Sequence, residues 1–140
     1  PPPVATIMMN ESTMLGARAQ WILSRALSED DQEGRGSPVQ LAEAKDLLER
    51  ASARGLPEAQ AHLASQLEQA DPARAITLYT EAAMRMDDEG YTWRRLGVLK
   101  LTGGVGVPID YSGASDAFKR SAIAGDADGA YNLGRMFEWR

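Results

Sequence analysis

One stretch of sequence decides the fold of this chain: residues 113–134, GASDAFKRSAIAGDADGAYNLG. Small and apolar residues fall at offsets 0, 3, 4, 7, 8 and 11 from Ala114, which places them on one stripe of an α-helix. Gly125 stands where that helix should end, and Asp126 opens a second helical pattern. The stretch therefore predicts two antiparallel helices joined by a short turn.

The same template occurs twice more along the chain, starting at Ala44 and at Ala75. The shifts between the three copies are 31 and 39 residues, so loops of different length must absorb the difference. We name these segments the A helices, and their matching positions are Ala44, Leu47, Leu48, Ala51, Ser52 and Gly55; Ala75, Leu78, Tyr79, Ala82, Ala83 and Met86; and Ala114, Ala117, Phe118, Ser121, Ala122 and Gly125. Repetition of one helical unit predicts an all-α superhelix, a solenoid of antiparallel hairpins.

A second template follows the A helices, and we name its copies the B helices. Its first and third copies match at a constant shift of 70 residues, as Ala59, Leu63, Ala64 and Leu67 against Gly129, Leu133, Gly134 and Phe137. The middle copy contains Leu96-Gly97 but has Lys100 at the last position. We expect Leu99 or Leu101 to fill that place.

Residues that are typical of helix starts and helix ends stand at these boundaries. Ser37, Asp71 and Asp110 each precede an A helix, where a short oxygen-bearing side chain can accept hydrogen bonds from free backbone N–H groups. Gly55 and Gly125 end two A helices, where a left-handed residue reverses the chain.

The predicted organisation is a single helical-repeat domain over residues 1–140. It comprises a preceding helix at 10–28, repeat 1 at 38–69, repeat 2 at 72–101 and repeat 3 at 111–140. The last predicted helix runs to the final residue, as expected if the third repeat is truncated. Between the first helix and repeat 1, residues 28–36 are acidic and contain glycine, which indicates an exposed loop.

Composition argues against several classes of function. The net charge is −5 and the basic residues are dispersed, so nucleic-acid binding has little electrostatic support. The chain has no cysteine, which rules out disulfides and thiolate chemistry. The apolar run at 4–9 is far shorter than the roughly 20 residues of a membrane span, so direct membrane insertion is not expected. A cytoplasmic or mitochondrial location is slightly favoured.

The segment from Leu96 to the end resembles the Sel1-like repeat, a branch of the tetratricopeptide-type repeats. The matching residues are Leu96-Gly97, the loop and Asp at 102–111, Ala114, Ala117-Phe118, Ala122, Gly125-Asp126-Ala127 and Ala130 to Gly134. The match over 39–86 is looser, which leaves an ordinary tetratricopeptide repeat as the alternative there. The resemblance implies a protein-interaction scaffold or adaptor whose A helices build a concave binding surface.

No catalytic or cofactor-binding pattern is visible in the sequence. His62 is the single histidine and lies among apolar residues of a B helix, without a nucleophile motif. The glycine-rich run at 103–106 lacks the Gly-Lys-Ser/Thr of a phosphate loop, so a turn is the better interpretation. The acidic run at 87–89 lacks the alternate spacing of a calcium loop. We therefore expect no enzyme activity, no cofactor and no metal.

The residues that we predict to contact a protein partner are mostly charged side chains on the polar faces of the A helices. They are Lys45, Glu49, Arg74, Glu81, Arg85, Trp93, Arg94, Asp116 and Lys119. The predicted function is a protein–protein interaction scaffold, a subunit or assembly factor of a larger complex. The alternative is a regulatory or accessory domain of an enzyme whose catalytic part lies outside this chain.

Overall fold

A computed structural model describes residues 16–29 and 37–138 of the chain. These residues form seven helices, and the first, α1, covers 16–29. The others are α2 (Pro38–Ala53), α3 (Pro57–Leu67), α4 (Pro72–Arg85), α5 (Tyr91–Thr102), α6 (Tyr111–Ile123) and α7 (Ala127–Glu138). The predicted A helices are α2, α4 and α6, and the predicted B helices are α3, α5 and α7. The all-α fold class is confirmed, and residues 10–15 of the predicted first helix lie outside the described residues.

The chain divides after Gln60 into two compact units, residues 1–60 and 61–140, which we call the N-terminal and C-terminal units. The division falls inside α3. Within the C-terminal unit α5 packs against both α4 and α6, and α6 packs against α7. The single domain over 1–140 stays a prediction.

Side-chain caps start the three A helices, as the sequence predicts. The Ser37 hydroxyl accepts a hydrogen bond from the Gln40 backbone N–H, and the Gln40 side chain accepts one from the Ser37 N–H. The Asp71 carboxylate accepts a hydrogen bond from the N–H of Arg74, and Asp110 does the same for Gly113. Each cap satisfies a backbone donor that has no partner within its helix.

The turns after α2 and α6 have the same hydrogen bonds. Gly55 has a φ of 86° and Gly125 a φ of 108°, the left-handed region that a glycine enters without strain. The Leu56 N–H donates to the carbonyl of Ala51, and the Asp126 N–H donates to that of Ser121. This pattern satisfies the last carbonyls of each A helix and reverses the chain, as predicted for these two glycines.

The turn after α4 is different because Met86 replaces the glycine. Met86 adopts an extended conformation, and the reversal is made later by Glu89 and Gly90, with φ values of 59° and 88°. Gly90 cannot carry a side chain here, since a Cβ atom would lie 2.4 Å from the backbone oxygen of Ser121. The longer loop of the middle repeat therefore has its own close contact with α6.

The glycine-rich segment after α5 forms a tight turn, as the sequence predicts. Gly104 and Val107 exchange two backbone hydrogen bonds of 3.0 Å and form an isolated β-bridge. A Cβ atom on Gly104 would lie 2.9 Å from the Pro72 side chain, so the base of this turn packs closely against the start of α4. Its tip is open, because Val105 is 79% exposed and a Cβ atom added to Gly106 would have none of the described residues within 4 Å.

The core of the C-terminal unit is built from the template positions of the A and B helices. Its large buried side chains include Leu78, Tyr79, Leu96 and Phe118, each at most 8% exposed. The alanines at the template positions of α4, together with Ala114 and Ala117 of α6, are also buried and let the helices approach closely. In the middle B helix Leu99 is buried, and it fills the place for which Leu99 or Leu101 was expected.

The N-terminal unit has a smaller core of the same kind. Ala44, Leu48 and Ala51 of α2 are buried, and so is Ala17 of α1. The hydroxyl of the buried Ser24 in α1 donates a 2.7 Å hydrogen bond to the Ala44 carbonyl oxygen. The A-helix template thus marks the buried stripe of α2 as well.

Candidate protein-binding surface

The predicted contact residues on the A helices are exposed, as a binding surface requires. On α4 these are Arg74, Glu81 and Arg85, and on α6 they are Asp116 and Lys119. In the N-terminal unit Lys45 and Glu49 lie on the exposed side of α2. Their role in binding a partner is not tested by their exposure, and it stays a prediction.

Two apolar side chains, which the sequence analysis did not select, are exposed among these charges. Met84 on α4 is 68% exposed and Ile123 on α6 is 79% exposed. Each follows the first alanine of its template by nine residues, at Ala75 and Ala114, so the two occupy equivalent positions. The corresponding residue of α2, Ala53, is exposed too. The recurrence of an apolar residue at offset nine was the available sequence signal.

Met84 lies in a shallow, open depression between charged residues. The depression has a volume of about 420 Å³, and Glu81, Met84 and Arg85 line it. An exposed apolar side chain between an acidic and a basic residue can bury itself against an apolar group of a partner. The flanking charges can then pair with opposite charges at the rim.

Trp93 of α5 is covered by a side chain from α6. The Arg120 guanidinium carbon lies 4.8 Å from the centre of the Trp93 ring, and Trp93 itself is half-buried. Arg120 also forms a 3.2 Å ion pair with Asp116, one helical turn earlier on α6. The cation–π contact joins α5 to α6, so Trp93 contributes to packing as well as reaching the surface.

Arg94 forms a short ion pair inside the C-terminal unit. Its Nε atom lies 2.7 Å from the Asp126 carboxylate, and the two side chains are only 22% and 12% exposed. Burial raises the pKa of Asp126, but Arg94 and the backbone N–H groups of Asp128 and Gly129 outweigh it, so the pKa lies below its ordinary value. Asp126 therefore stays ionised and fixes the start of α7 to α5.

A second polar cluster joins three consecutive elements of the C-terminal unit. The Tyr79 hydroxyl on α4 donates a 2.5 Å hydrogen bond to Glu68, which follows α3. The Arg95 guanidinium on α5 donates to both carboxylate oxygens of Glu68, at 2.7 and 2.6 Å. Burial and then the hydrogen bond to Glu68 raise the pKa of the Tyr79 hydroxyl, and Glu68 also raises the pKa of Arg95. The cluster is a structural clamp, and sequence reasoning missed it because its members are distant along the chain.

His62 was considered for chemistry because it is the single histidine of the chain. His62 is exposed on α3, and its Nε2 atom lies 3.2 Å from the Gln66 side chain in the next turn. Over residues 16–29 and 37–138, no three His, Asp or Glu side chains are grouped as metal ligands would be. None of the helices in these ranges is both long and apolar enough to span a bilayer.

The repeated pair of an A helix and a B helix, joined by a tight turn, defines a helical-repeat protein. The structure is similar to the crystal structure of a Sel1 repeat protein from Oxalobacter formigenes. The TM-score is 0.67 and the sequence identity 25%, over 94% of this chain and 99% of that chain. This chain therefore has a Sel1-like repeat fold, and the resemblance carried by residues 96–134 is confirmed.

No protein-family profile matches the sequence, and no curated protein matches it either. The Sel1 repeat fold generally serves as a protein-interaction scaffold and is typically non-catalytic. The fold thus points to protein partners for this chain.

Proposed function

We propose that this protein is a non-catalytic scaffold that binds another protein through the exposed faces of its A helices, as a subunit or assembly factor of a larger complex. The observation that carries the proposal is the pair of exposed apolar residues Met84 and Ile123 at equivalent positions of α4 and α6. Single exposed apolar side chains are common on soluble proteins. Their recurrence at one position of a repeat is what favours a binding role.

Charged residues next to these two positions supply specificity. Glu81 and Arg85 flank Met84, while Lys119 and Arg120 precede Ile123 on α6. Apolar anchors surrounded by a charged rim are typical of interfaces in which a few central residues provide most of the binding free energy. The proposed partner is therefore a protein segment with apolar side chains and charges of both signs.

Site-specific crosslinking in cells tests this proposal. A photoreactive phenylalanine analogue is placed at Met84 or at Ile123, and a control protein carries it at Thr102, which is exposed at the end of α5. We expect crosslinks to the same partner from positions 84 and 123 and none from position 102. Equal crosslinking at all three positions, or none at any, would contradict the proposal.

Substitutions then test the binding free energy. Once the partner is identified, Met84→Lys and Ile123→Lys should each weaken its binding by about tenfold or more, because each places a charge where an apolar group is buried. Thr102→Lys is the matched control and should leave the affinity unchanged. Co-elution of the native chain with the partner in a larger assembly would support the role as a subunit, and elution as a free chain would argue against it.

A further inference from the structure

This chain has six methionines and no cysteine. Methionine sulfur is therefore the side-chain atom at which the chain can undergo a reversible two-electron oxidation, from thioether to sulfoxide. Three of the methionines, at positions 8, 9 and 14, lie outside the described residues. Of the other three, Met84 is 68% exposed, whereas Met86 and Met136 are half-buried. An oxidant in solution therefore reaches the Met84 side chain more easily than the other two.

Met84 lies on the side of α4 that faces away from the core. The two residues before it, Ala82 and Ala83, are buried. Met84 itself lies in the open depression that Glu81 and Arg85 also line. A sulfoxide in a core disrupts packing, because its polar oxygen is placed among apolar groups. At Met84 solvent hydrates the sulfoxide oxygen instead, so oxidation leaves the fold of the free chain intact.

The same oxidation has a large effect in the proposed complex, where Met84 is buried against an apolar group of the partner. The thioether is apolar and polarizable, and it packs well against such a group. A sulfoxide oxygen is a hydrogen-bond acceptor, and an apolar group donates no hydrogen bond to it. Burial of an acceptor without a donor lowers the affinity.

Ile123 occupies the equivalent position on α6 and does not share this sensitivity. Both residues follow the first alanine of their template by nine positions, and Ile123 is 79% exposed. A saturated hydrocarbon side chain is not oxidised by a peroxide under conditions that oxidise a thioether. Oxidation therefore changes one of the two apolar anchors and leaves the other as it is.

We propose that Met84 is a reversible oxidation site: a peroxide such as hydrogen peroxide converts its thioether to the sulfoxide, and the partner dissociates from the A-helix surface. The sulfur lone pair attacks one peroxide oxygen, so an S–O bond forms as the O–O bond breaks. The second oxygen leaves and takes a proton to become water, and the sulfur has lost the two electrons that the peroxide gained.

A thiol-dependent methionine sulfoxide reductase reverses this step. Two thiols are oxidised to a disulfide, and the sulfoxide oxygen leaves as water. The inference rests on the proposed function, because oxidation weakens binding only if the partner covers Met84.

The reactivity of Met84 is tested on the purified full chain with hydrogen peroxide. Trypsin cleaves after arginine and places the three methionines of the described residues in separate peptides, 75–85, 86–94 and 136–140. Mass spectrometry follows the gain of one oxygen atom with time, and fragment ions locate it at the methionine. We expect peptide 75–85 to be oxidised faster than the other two, with an unchanged circular dichroism spectrum. Oxidation of Met84 no faster than that of Met86 and Met136 would overturn the proposal.

The effect on binding is tested in cells with the photoreactive analogue at position 123. The crosslink yield after brief exposure to hydrogen peroxide is divided by the yield without it. We expect this ratio to fall to about one tenth when residue 84 is methionine, as for the loss of one interface anchor. With Met84→Ile the ratio should stay near one, because this side chain is not oxidised. Met86→Ile is the matched control, and its ratio should fall as in the native chain.

Met84→Gln imitates the sulfoxide with a polar amide and should lower the crosslink yield without any peroxide. An equal fall of the ratio with Met84→Ile would assign the loss to another group and overturn the proposal. So would an unchanged ratio for the native chain, whether or not peptide 75–85 from the same cells has gained oxygen. Both results leave the proposed function standing, whereas no crosslink from position 123 in untreated cells contradicts the proposed function and this inference with it.

Discussion

The ring of Phe118 occupies the space that a side chain at Gly97 would need. The distance from an added Cβ atom to the nearest ring carbons would be 2.7 Å, well inside van der Waals contact. Phe118 is fully buried as a result, and α5 and α6 approach each other more closely than two larger residues would permit. This glycine and phenylalanine form the central contact between consecutive hairpins of the C-terminal unit.

The first prediction concerns this contact. Gly97→Ala should lower the free energy of unfolding by about 1–3 kcal/mol, because the buried ring must move to admit a methyl group. Urea unfolding followed by circular dichroism measures the change. Gly134→Ala is the matched control at the equivalent open position of α7, and it should raise stability by about 0.5–1 kcal/mol through helix propensity. Equal effects of the two substitutions would contradict the close packing.

The second prediction concerns the clamp formed by Tyr79, Glu68 and Arg95. Tyr79→Phe removes the hydroxyl that donates to Glu68 and should cost about 1–3 kcal/mol, since the carboxylate loses a partner in a partly buried place. Tyr111→Phe is the control, because Tyr111 is 63% exposed and its hydroxyl should matter by less than about 0.5 kcal/mol. Chemical denaturation measures the free energy of unfolding of both variants. An equal decrease in the two variants would show that the clamp does not stabilise the fold.

The third prediction is a pH dependence of stability that arises from Asp126. Its pKa in the folded protein lies below the ordinary value of 3.8, so its contribution is present above about pH 4 and is lost as the pH falls through the folded pKa. Asp126→Asn should therefore destabilise the protein by about 1–2 kcal/mol at pH 7 and by progressively less below pH 4. Thermal unfolding between pH 3 and 7 measures this difference.

Asp116→Asn is the control for the pH experiment. Asp116 is also paired with an arginine, Arg120, but these two side chains are 65% and 52% exposed. Exposed pairs contribute little, so this variant should differ from the native protein by less than about 1 kcal/mol at every pH. If the destabilisation by Asp126→Asn stayed constant down to pH 3, the pH dependence of stability would not arise from the lowered pKa of Asp126.

The fourth prediction separates backbone strain from a steric clash at two glycines with positive φ. Gly106→Ala places a Cβ atom in open space, so only the left-handed conformation is penalised, at roughly 1 kcal/mol. Gly90→Ala has the same strain and also a clash with the Ser121 backbone, so it should cost clearly more, about 2–4 kcal/mol. Thermal unfolding gives the melting temperature of each variant. A larger decrease for Gly106→Ala than for Gly90→Ala would be inconsistent with the close contact between Gly90 and Ser121.

The fold was predictable from the sequence because the A-helix template occurs three times along the chain. Five of the six template positions of α4 and four of the six of α6 are buried, and Ser37, Asp71 and Asp110 cap the helices they precede. Helical periodicity and capping act within a few residues, so a single sequence displays them.

The candidate site was less predictable. The charged residues chosen on the A helices are exposed, but the exposure of Met84 and Ile123 depends on which side of each helix its neighbours cover. Arg94 was selected as a partner contact, yet its guanidinium is paired with Asp126, which lies 32 residues further along the chain. Contacts between residues so distant along the chain depend on how the hairpins pack, and the helical period alone does not predict this packing.

The turn at Gly104 and Val107 is a position where an additional segment can be inserted into the chain. Its base is fixed by the Asp110 N–H, which donates to the Lys100 carbonyl oxygen, and by the contact of Gly104 with Pro72, while Val105 at its tip reaches into solvent. Lengthening an exposed loop costs only about 0.6 kcal/mol for each doubling. An epitope or a fluorescent reporter spliced in after Val105 would thus leave both flanking helices in place and provide a handle for isolating the native assembly.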